Sequence, residues 1–204
     1  MSDSLEDIPL FPLSAVLFPY GRMPLQIFEQ RYLDLIRGCA RSGTGFGVVW
    51  TSGGGEVAGR GEPVLGDYGT YARIVDYDQL PNGLLGVTIE GGAVFDLHRT
   101  ERLASQLVMG SVSWRKPLAR APVHSDWEGL VSVLRSLETH PHVEQLQLDI
   151  DYDNAWAVAF NLLQLLPLDE RLKYRWLGYD SVEDVVDELQ TVLNEISGED
   201  DSPS

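Results

Sequence analysis

The sequence has very little cysteine and very little lysine. Cys39 is the one cysteine, so no disulfide can form within the chain, and Lys116 and Lys173 are the only lysines. A lone cysteine on an apolar stretch predicts a buried, unreactive thiol in a reducing compartment, so we expect a cytoplasmic protein. No hydrophobic run approaches the length of a membrane span, and the acidic start lacks the basic region of a signal peptide. These absences argue against a secreted protein and a membrane protein.

Positive charge is also scarce, and its scarcity is uneven. The chain has 15 basic and 31 acidic residues, a net charge of −16. Residues 136–204 alone hold 3 basic and 16 acidic side chains. A field of this sign repels phosphate backbones and anionic membranes, which argues against nucleic acid and membrane surfaces as partners. A solubilising surface is the plain explanation for the acidic residues.

The stretch Ile8–Cys39 organises the first half of the chain. Its prolines cannot donate to a sheet ladder, so the stretch predicts short, kinked edge strands rather than a central strand; they are Pro9, Pro12, Pro19 and Pro24. Apolar residues then recur at helical spacing, which predicts an amphipathic helix; they are Tyr32, Leu35, Ile36 and Cys39. Gly43 and Gly45 end this helix, and Phe46–Trp50 is the next predicted strand.

Several short strands follow. Gly53–Gly61 is glycine-rich and predicts a connecting loop. The strand Gly69–Tyr77 leads to Pro81-Asn82-Gly83, a strong hairpin signal, and Leu85, Val87 and Ile89 alternate out of that turn. Gly91-Gly92 predicts a bend before a further strand through Phe95, and Val108–Trp114 supplies one more. Many short strands joined by strong turns predict a closed or nearly closed antiparallel barrel.

The sequence after the predicted barrel indicates helices. Ser125–Glu128 has the capping-box pattern, Ala155–Leu166 is apolar almost all round and predicts the centre of a bundle, and Ser181 predicts the cap of a last helix. We therefore expect an α+β protein with a barrel over residues 1–118, a helical subdomain over residues 119–197 packed on the barrel, and an acidic flexible tail over residues 198–204.

Three groups of residues resemble one known family. Pro24-Leu25, Ile27-Phe28-Glu29, Arg31-Tyr32 and Phe46–Val49 fall in register with the amino-terminal substrate-binding domain of the ATP-dependent Lon proteases. The middle motif matches it at Gly69, Ala72, Ile74, Pro81, Gly83 and Gly91, and Leu162–Leu168 matches its later helix. Many members carry a basic residue shortly after that last glycine, whereas this chain has Gly92-Ala93-Val94. The resemblance implies a PUA-like antiparallel β-barrel followed by an α-helical bundle.

The resemblance also implies a non-catalytic role in binding protein or unfolded peptide, with a link to proteolysis or protein quality control. A Gly-Lys-Ser/Thr nucleotide loop, a Gly-x-Ser-x-Gly elbow and the Ser–Lys dyad of Lon are absent, so we expect neither an enzyme nor a cofactor. Asp149–Asp153 imitates a calcium loop, but Asn154 and Phe160 occupy the positions of its glycine and last carboxylate. His140 and His142 have no accompanying ligand set. We expect no metal site, and we interpret Glu29 and Arg31 as architecture at a helix start.

Aromatic residues beside the kinked edges are the predicted peptide-binding residues, as anchors for reversible contacts. The aromatic candidates are Tyr20, Trp50, Tyr68 and Tyr71, and Arg22 is a further candidate beside them. A capping role in the barrel would also explain them. An alternative function is RNA binding, because PUA-like barrels often bind RNA and a local cluster of positive charge is present; its residues are Arg99, Arg102, Arg115, Lys116 and Arg120. A structural role with homo-oligomerisation stays open.

Overall fold

A computed structural model of the chain describes residues 4–52 and 64–199, with the side chains of residues 196–199 left out. The predicted loop Gly53–Gly61 and most of the predicted tail therefore lie outside the described residues. The chain divides into two compact units, Met1–Pro117 and Leu118–Ser204. Among the described residues the first unit consists of β1 Glu6–Leu13, β2 Arg22–Ile27, α1 Gln30–Ser42, β3 Phe46–Ser52, β4 Val64–Gln79, β5 Leu85–Arg102 and β6 Val108–Trp114.

The helix α1 forms where the apolar spacing predicts it. Its buried face consists of Tyr32, Leu35, Ile36 and Cys39. Gly43 ends the helix with φ at 68°, a left-handed conformation that glycine adopts without steric cost, and its N–H donates to the Cys39 carbonyl. Burial raises the pKa of the Cys39 thiol, which agrees with the predicted unreactive cysteine.

The six strands form one sheet in the order β2-β5-β4-β3-β1-β6, and β6 pairs in addition with β5. This last pairing closes β5, β4, β3, β1 and β6 into a ring. The predicted class, a barrel followed by helices, is confirmed. One pairing departs from the antiparallel pattern, because β1 and β3 run parallel, with Leu10 beside Gly47. The chain between them contains β2 and α1, which is long enough for the crossover that a parallel pair requires.

The prediction that β1 is an edge strand is wrong, since β1 pairs with two neighbours. β6 pairs with residues 6–10 and β3 with residues 10–13, so Pro9 and Pro12 each have a ladder partner on one side only. A proline is compatible with a strand where one side makes no ladder bond. β2 is an edge strand, because β5 is its single pairing partner among the described residues.

The strand β5 is continuous where the sequence predicts a bend between two strands at Gly91-Gly92. Its register against β4 shifts opposite Thr70–Ala72, so the bend occurs within one strand. A Cβ atom on Gly91 would lie 2.1 Å from the carbonyl oxygen of Phe18, which explains the glycine by close backbone approach. The predicted hairpin is confirmed: Gly83 has φ at 81° and the Leu84 N–H donates to the Asn82 side chain.

Two clusters of buried side chains fill the barrel. The larger one joins α1 to the strands, and the rings of Phe11 and Tyr32 stack within it with centroids 4.0 Å apart. The smaller one consists of Ile8, Leu10, Val49, Phe95 and Val112.

The second unit is helical. A 3-10 turn over Ser125–Trp127 leads into α2 Glu128–Glu138, followed by α3 Pro141–Glu144, α4 Ala155–Leu165, α5 Glu170–Leu177 and α6 Val182–Glu199. The helix α4 contacts α2 and α6, and residues 155–163 are all buried, as predicted for a central helix.

Local signals at the helix ends give mixed results. The prediction of a capping box at Ser125–Glu128 is wrong, because no side chain caps α2. A 3-10 turn precedes the helix, and the Ser125 hydroxyl donates to the Asp126 side chain instead. Ser181 does accept the Asp184 N–H at the start of α6. Packing of the helical unit on the barrel stays a prediction.

Candidate functional site

A large cavity of the first unit lies at one end of its barrel. It has a volume of about 970 Å³ and is lined by residues where β1, β2, β3 and β5 end and where β4 and β6 begin. The lining residues come from 11–14, 25–29, 31–32, 51, 65–67, 97–102 and 108. Six strands and the start of α1 therefore contribute to one concave site, the barrel-end cavity.

One side of the barrel-end cavity is apolar. Leu25 and Ile27 of β2 and the stacked pair Phe11 and Tyr32 line it. Phe28 stands beside them with 69 % of its side chain exposed, although it is a large aromatic residue. Strand alternation explains this exposure: Leu25 and Ile27 pack toward the core, so Gln26 and then Phe28 face outward. An exposed aromatic ring beside a cavity is the typical form of a contact residue for a partner.

Arg31 links the first turn of α1 to the loop before β6. Its guanidinium lies 2.7 Å from Glu29 Oε2, donates to the Gln106 carbonyl at 3.0 Å and sits 4.6 Å from the centroid of the Tyr32 ring. Burial raises the pKa of the Tyr32 hydroxyl, and the Arg31 charge opposes that rise. The interpretation of Glu29 and Arg31 as architecture is consistent with these contacts, but both residues also line the cavity.

Charges of both signs surround the rest of the cavity. Arg99 and Arg102 contribute positive charge, and Asp67 and Glu101 contribute negative charge. The His98 Nε2 lies 2.7 Å from the Ser113 hydroxyl. A phosphate backbone requires a surface of predominantly positive charge, so a mixed lining suits a polypeptide better than a nucleic acid.

The five predicted binding residues do not line the barrel-end cavity. Tyr20 lies in the turn before β2 with φ at 65°, 39 % exposed, and its N–H donates to the Gly91 carbonyl. Arg22 pairs with Glu90, with Nε 2.7 Å from Oε2. These two residues therefore lie beside the bend of β5, where the turn is held by the sheet.

The other three candidates are built into the barrel wall. The Tyr71 hydroxyl accepts the Gly45 N–H at 2.6 Å, and its ring meets Trp114 edge-on at 5.4 Å. The Arg115 guanidinium lies 4.5 Å from the centroid of the Tyr68 ring, and Trp50 stands opposite Leu13 in the β1–β3 pair. Tyr71 thus supports the backbone at Gly45, and both peptide binding by the five residues and the alternative of a capping role stay predictions.

The predicted basic cluster is divided between the two units. Arg115 pairs with Asp96 through two hydrogen bonds of 2.9 and 2.7 Å, and Arg120 pairs with Asp151 through two of 3.0 Å. The hydrogen bonds from Arg120 lower the pKa of Asp151. Carboxylates thus neutralise two of the five cations, which weakens the structural case for RNA binding.

The possible metal ligands have other partners. Asp151, the middle of the calcium-like run, accepts Arg120 and the Asp153 N–H, and the His140 Nδ1 accepts the His142 N–H. In residues 4–52 and 64–199, no three His, Cys, Asp or Glu side chains are arranged to hold a metal ion. No helix in the same residues combines the length and apolar character that a membrane crossing requires.

Sequence reasoning missed the contribution of Phe28 and the β5 residues 97–102 to a cavity. Alternation along β2 could have revealed Phe28, because the Leu25–Ile27 face predicts that Phe28 is outward. The β5 residues gave no such signal, since their approach to β2 and α1 depends on barrel closure.

Comparison with known proteins identifies the family and agrees with the fold. A family model described as the ATP-dependent protease La (LON) substrate-binding domain matches residues 7–195. The crystal structure of a Lon N-terminal domain protein from Xanthomonas campestris is 32 % identical in sequence, with a TM-score of 0.70, over 91 % of this chain and 98 % of that one. The N-terminal domain of a Mycobacterium avium complex Lon protease shares the fold at 13 % identity, with a TM-score of 0.57, over 90 % of this chain and 96 % of that one. No curated protein matches the chain.

Proposed function

The chain belongs to the family of Lon substrate-binding domains, and from this premise we propose that it binds unfolded or extended polypeptide through the barrel-end cavity, without catalysing a reaction on it. The resemblance predicted from the Pro24–Val49 motifs is confirmed by the family model. Domains of this family are substrate-binding modules, which supports a polypeptide as the partner. A connection with proteolysis or protein quality control is part of the same proposal.

The observation that carries the proposal is Phe28 at the edge of the cavity. Its ring is 69 % exposed, although its neighbours Ile27 and Tyr32 are buried. An exposed aromatic side chain beside a partly apolar cavity gains free energy when a partner covers it. Unfolded polypeptides supply apolar side chains that folded proteins bury, so they are the class of partner that this surface fits best.

The test is binding of reduced, carboxymethylated α-lactalbumin, a permanently unfolded chain, with native α-lactalbumin as the control. We expect the unfolded form alone to bind in fluorescence anisotropy. The affinity should change little between about 0.05 M and about 0.5 M salt, because apolar burial is screened much less than ion pairing. Absence of binding by the unfolded form would refute the proposal.

Matched variants locate the surface. Phe28→Ala should weaken binding about tenfold or more, whereas Tyr77→Ala, which removes another exposed aromatic ring outside the cavity, should have no effect. Tyr20→Ala tests the surface that the sequence predicted. Weakening by Tyr20→Ala with no effect of Phe28→Ala would place binding at the β5 bend and contradict the cavity. Binding that disappears after nuclease treatment would favour RNA.

A further inference from the structure

The strand β2 lies outside the closed ring of the first unit, and its outer edge is unpaired along the whole strand among the described residues. β2 pairs with β5 along its whole length, from Arg22 opposite Glu90 to Ile27 opposite Leu85. No described residue pairs with its other side. The same strand lines the barrel-end cavity with Leu25, Gln26 and Ile27.

The register shows which backbone groups of β2 point to that outer edge. The Gly91 N–H donates to the Gly21 carbonyl at 2.9 Å, so in this antiparallel pair the odd-numbered residues direct their backbone groups toward β5. The even-numbered residues then point away from β5. Pro24 agrees with this assignment, because a residue without an N–H is compatible with the outward position. The outer edge therefore presents the Gln26 N–H and the carbonyl oxygens of Pro24 and Gln26.

Proteins ordinarily protect such an edge with proline, charge or a covering segment. Pro24 protects the first half of β2, while the half from Leu25 to Ile27 borders a cavity of about 970 Å³. The complement of alternating backbone donors and acceptors is another extended backbone, which nucleic acids and helices do not offer. Apolar side chains at every second position of that backbone would reach the wall formed by Phe11 and Tyr32.

From these observations we infer that the polypeptide binds as an added strand on the outer edge of β2. This inference rests on the proposed function and specifies its mode. In an antiparallel addition, one peptide residue exchanges two hydrogen bonds with Gln26, and the N–H of the peptide residue two positions away donates to the Pro24 carbonyl. Main-chain bonds supply affinity for many sequences, and the cavity selects for apolar side chains.

The first experiment changes the peptide and leaves the protein untouched. Short overlapping synthetic peptides covering reduced α-lactalbumin are screened against the full chain, and the tightest is remade with a single N-methyl group at each position. We expect losses of about tenfold at two positions separated by one tolerant residue, because N-methylation removes a donor. Equal tolerance at all positions would overturn strand addition and leave the proposed function standing, whereas failure of every peptide to bind would overturn both.

The second experiment changes the edge. Pro24→Ala supplies an outward N–H and should tighten peptide binding about two- to tenfold, and Gln26→Pro, which removes one, should weaken it by a similar factor. Gln26→Ala keeps the backbone donor and should bind as the parent chain does. Unchanged peptide binding by Pro24→Ala would overturn the inference. A Pro24→Ala variant that self-associates in sedimentation, without binding peptide more tightly, would also overturn it and would assign the edge to another copy of the chain.

Discussion

Replacement of Gly91 by alanine should destabilise the barrel strongly, whereas the same change at Gly92 should not. The Cβ of Ala at position 91 would lie 2.1 Å from the Phe18 carbonyl oxygen and 2.8 Å from its carbon. Neither atom belongs to a flexible side chain, and Phe18 is fully buried, so the backbone of the turn must shift. At Gly92 the nearest atom is the Tyr71 carbonyl oxygen at 3.4 Å.

The cost follows from the contacts that this movement breaks. Overpacking a tight site costs about 1–3 kcal/mol. The turn also holds two hydrogen bonds to Gly91, from the Tyr20 N–H and to the Gly21 carbonyl, each with a net contribution of about 0.5–1.5 kcal/mol. We therefore expect Gly91→Ala to lower the free energy of unfolding by about 2–6 kcal/mol. Gly92→Ala should change it by less than about 0.5 kcal/mol.

Urea unfolding followed by amide NMR signals of the first unit measures this difference separately from the helical unit. Hydrogen exchange adds a local measure, because the Tyr20 amide should lose protection in Gly91→Ala and keep it in Gly92→Ala. Equal urea midpoints for the two variants, with the Tyr20 amide equally protected in both, would refute the role given to the close approach of Phe18 and Gly91.

Two further predictions concern single hydrogen-bonding groups. Tyr71→Phe should lower the free energy of unfolding by about 1–3 kcal/mol, because it leaves the buried Gly45 N–H without its acceptor. Hydrogen exchange of the Gly45 amide, measured by NMR, should accelerate in this variant. Unchanged exchange would contradict the stabilising role given to the Tyr71 hydroxyl. Glu188 accepts hydrogen bonds from Tyr179, Trp176 and Arg175, and these contacts, led by Tyr179, lower the pKa of Glu188. A lowered pKa stabilises the helical unit above the unfolded value of 4.5, and that stability is lost as the pH falls through the folded pKa. Glu188→Gln should therefore be less stable than the parent chain at neutral pH. The difference in urea midpoint between the two chains, followed by circular dichroism, should shrink as the pH is lowered below 4.5. A difference that stays constant with pH would show that the charge of Glu188 is not involved.

Local signals in the sequence predicted most of the elements. The spacing from Tyr32 to Cys39 gave α1, Gly43 gave its end, and Asn82-Gly83 gave the hairpin, because each depends on a few adjacent residues and on the backbone that they favour. The family motifs predicted the architecture of a β-barrel followed by helices. The capping box at Ser125 failed because its residues formed a 3-10 turn instead.

Features that depend on distant partners were not predictable from local pattern. The prolines of β1 indicated an edge strand, but the offset between β6 and β3 gives each proline an unpaired side within a closed ring. The barrel-end cavity escaped prediction for the same reason, since it joins residues from Phe11 to Val108. The predicted aromatic binding residues were chosen by residue type and by nearby prolines. Neither signal shows whether a side chain such as that of Tyr71 is already hydrogen-bonded to the protein's own backbone.

The pairing of β1 with β6 sets the order in which the barrel can be completed as the chain is synthesised. Glu6 pairs with Val112 and Leu10 with Val108, so the ring cannot close until nearly the whole first unit has left the ribosome. Contacts between such distant residues form slowly, because a long loop must close before they gain any free energy. Until then Ile8 and Leu10, which are almost fully buried in the finished barrel, lack their neighbours on β6. β1 is synthesised before the other five strands of the barrel, yet its segment Glu6–Leu10 is among the last to gain its ladder partners, which makes it a segment of the unfinished chain that a chaperone would need to cover.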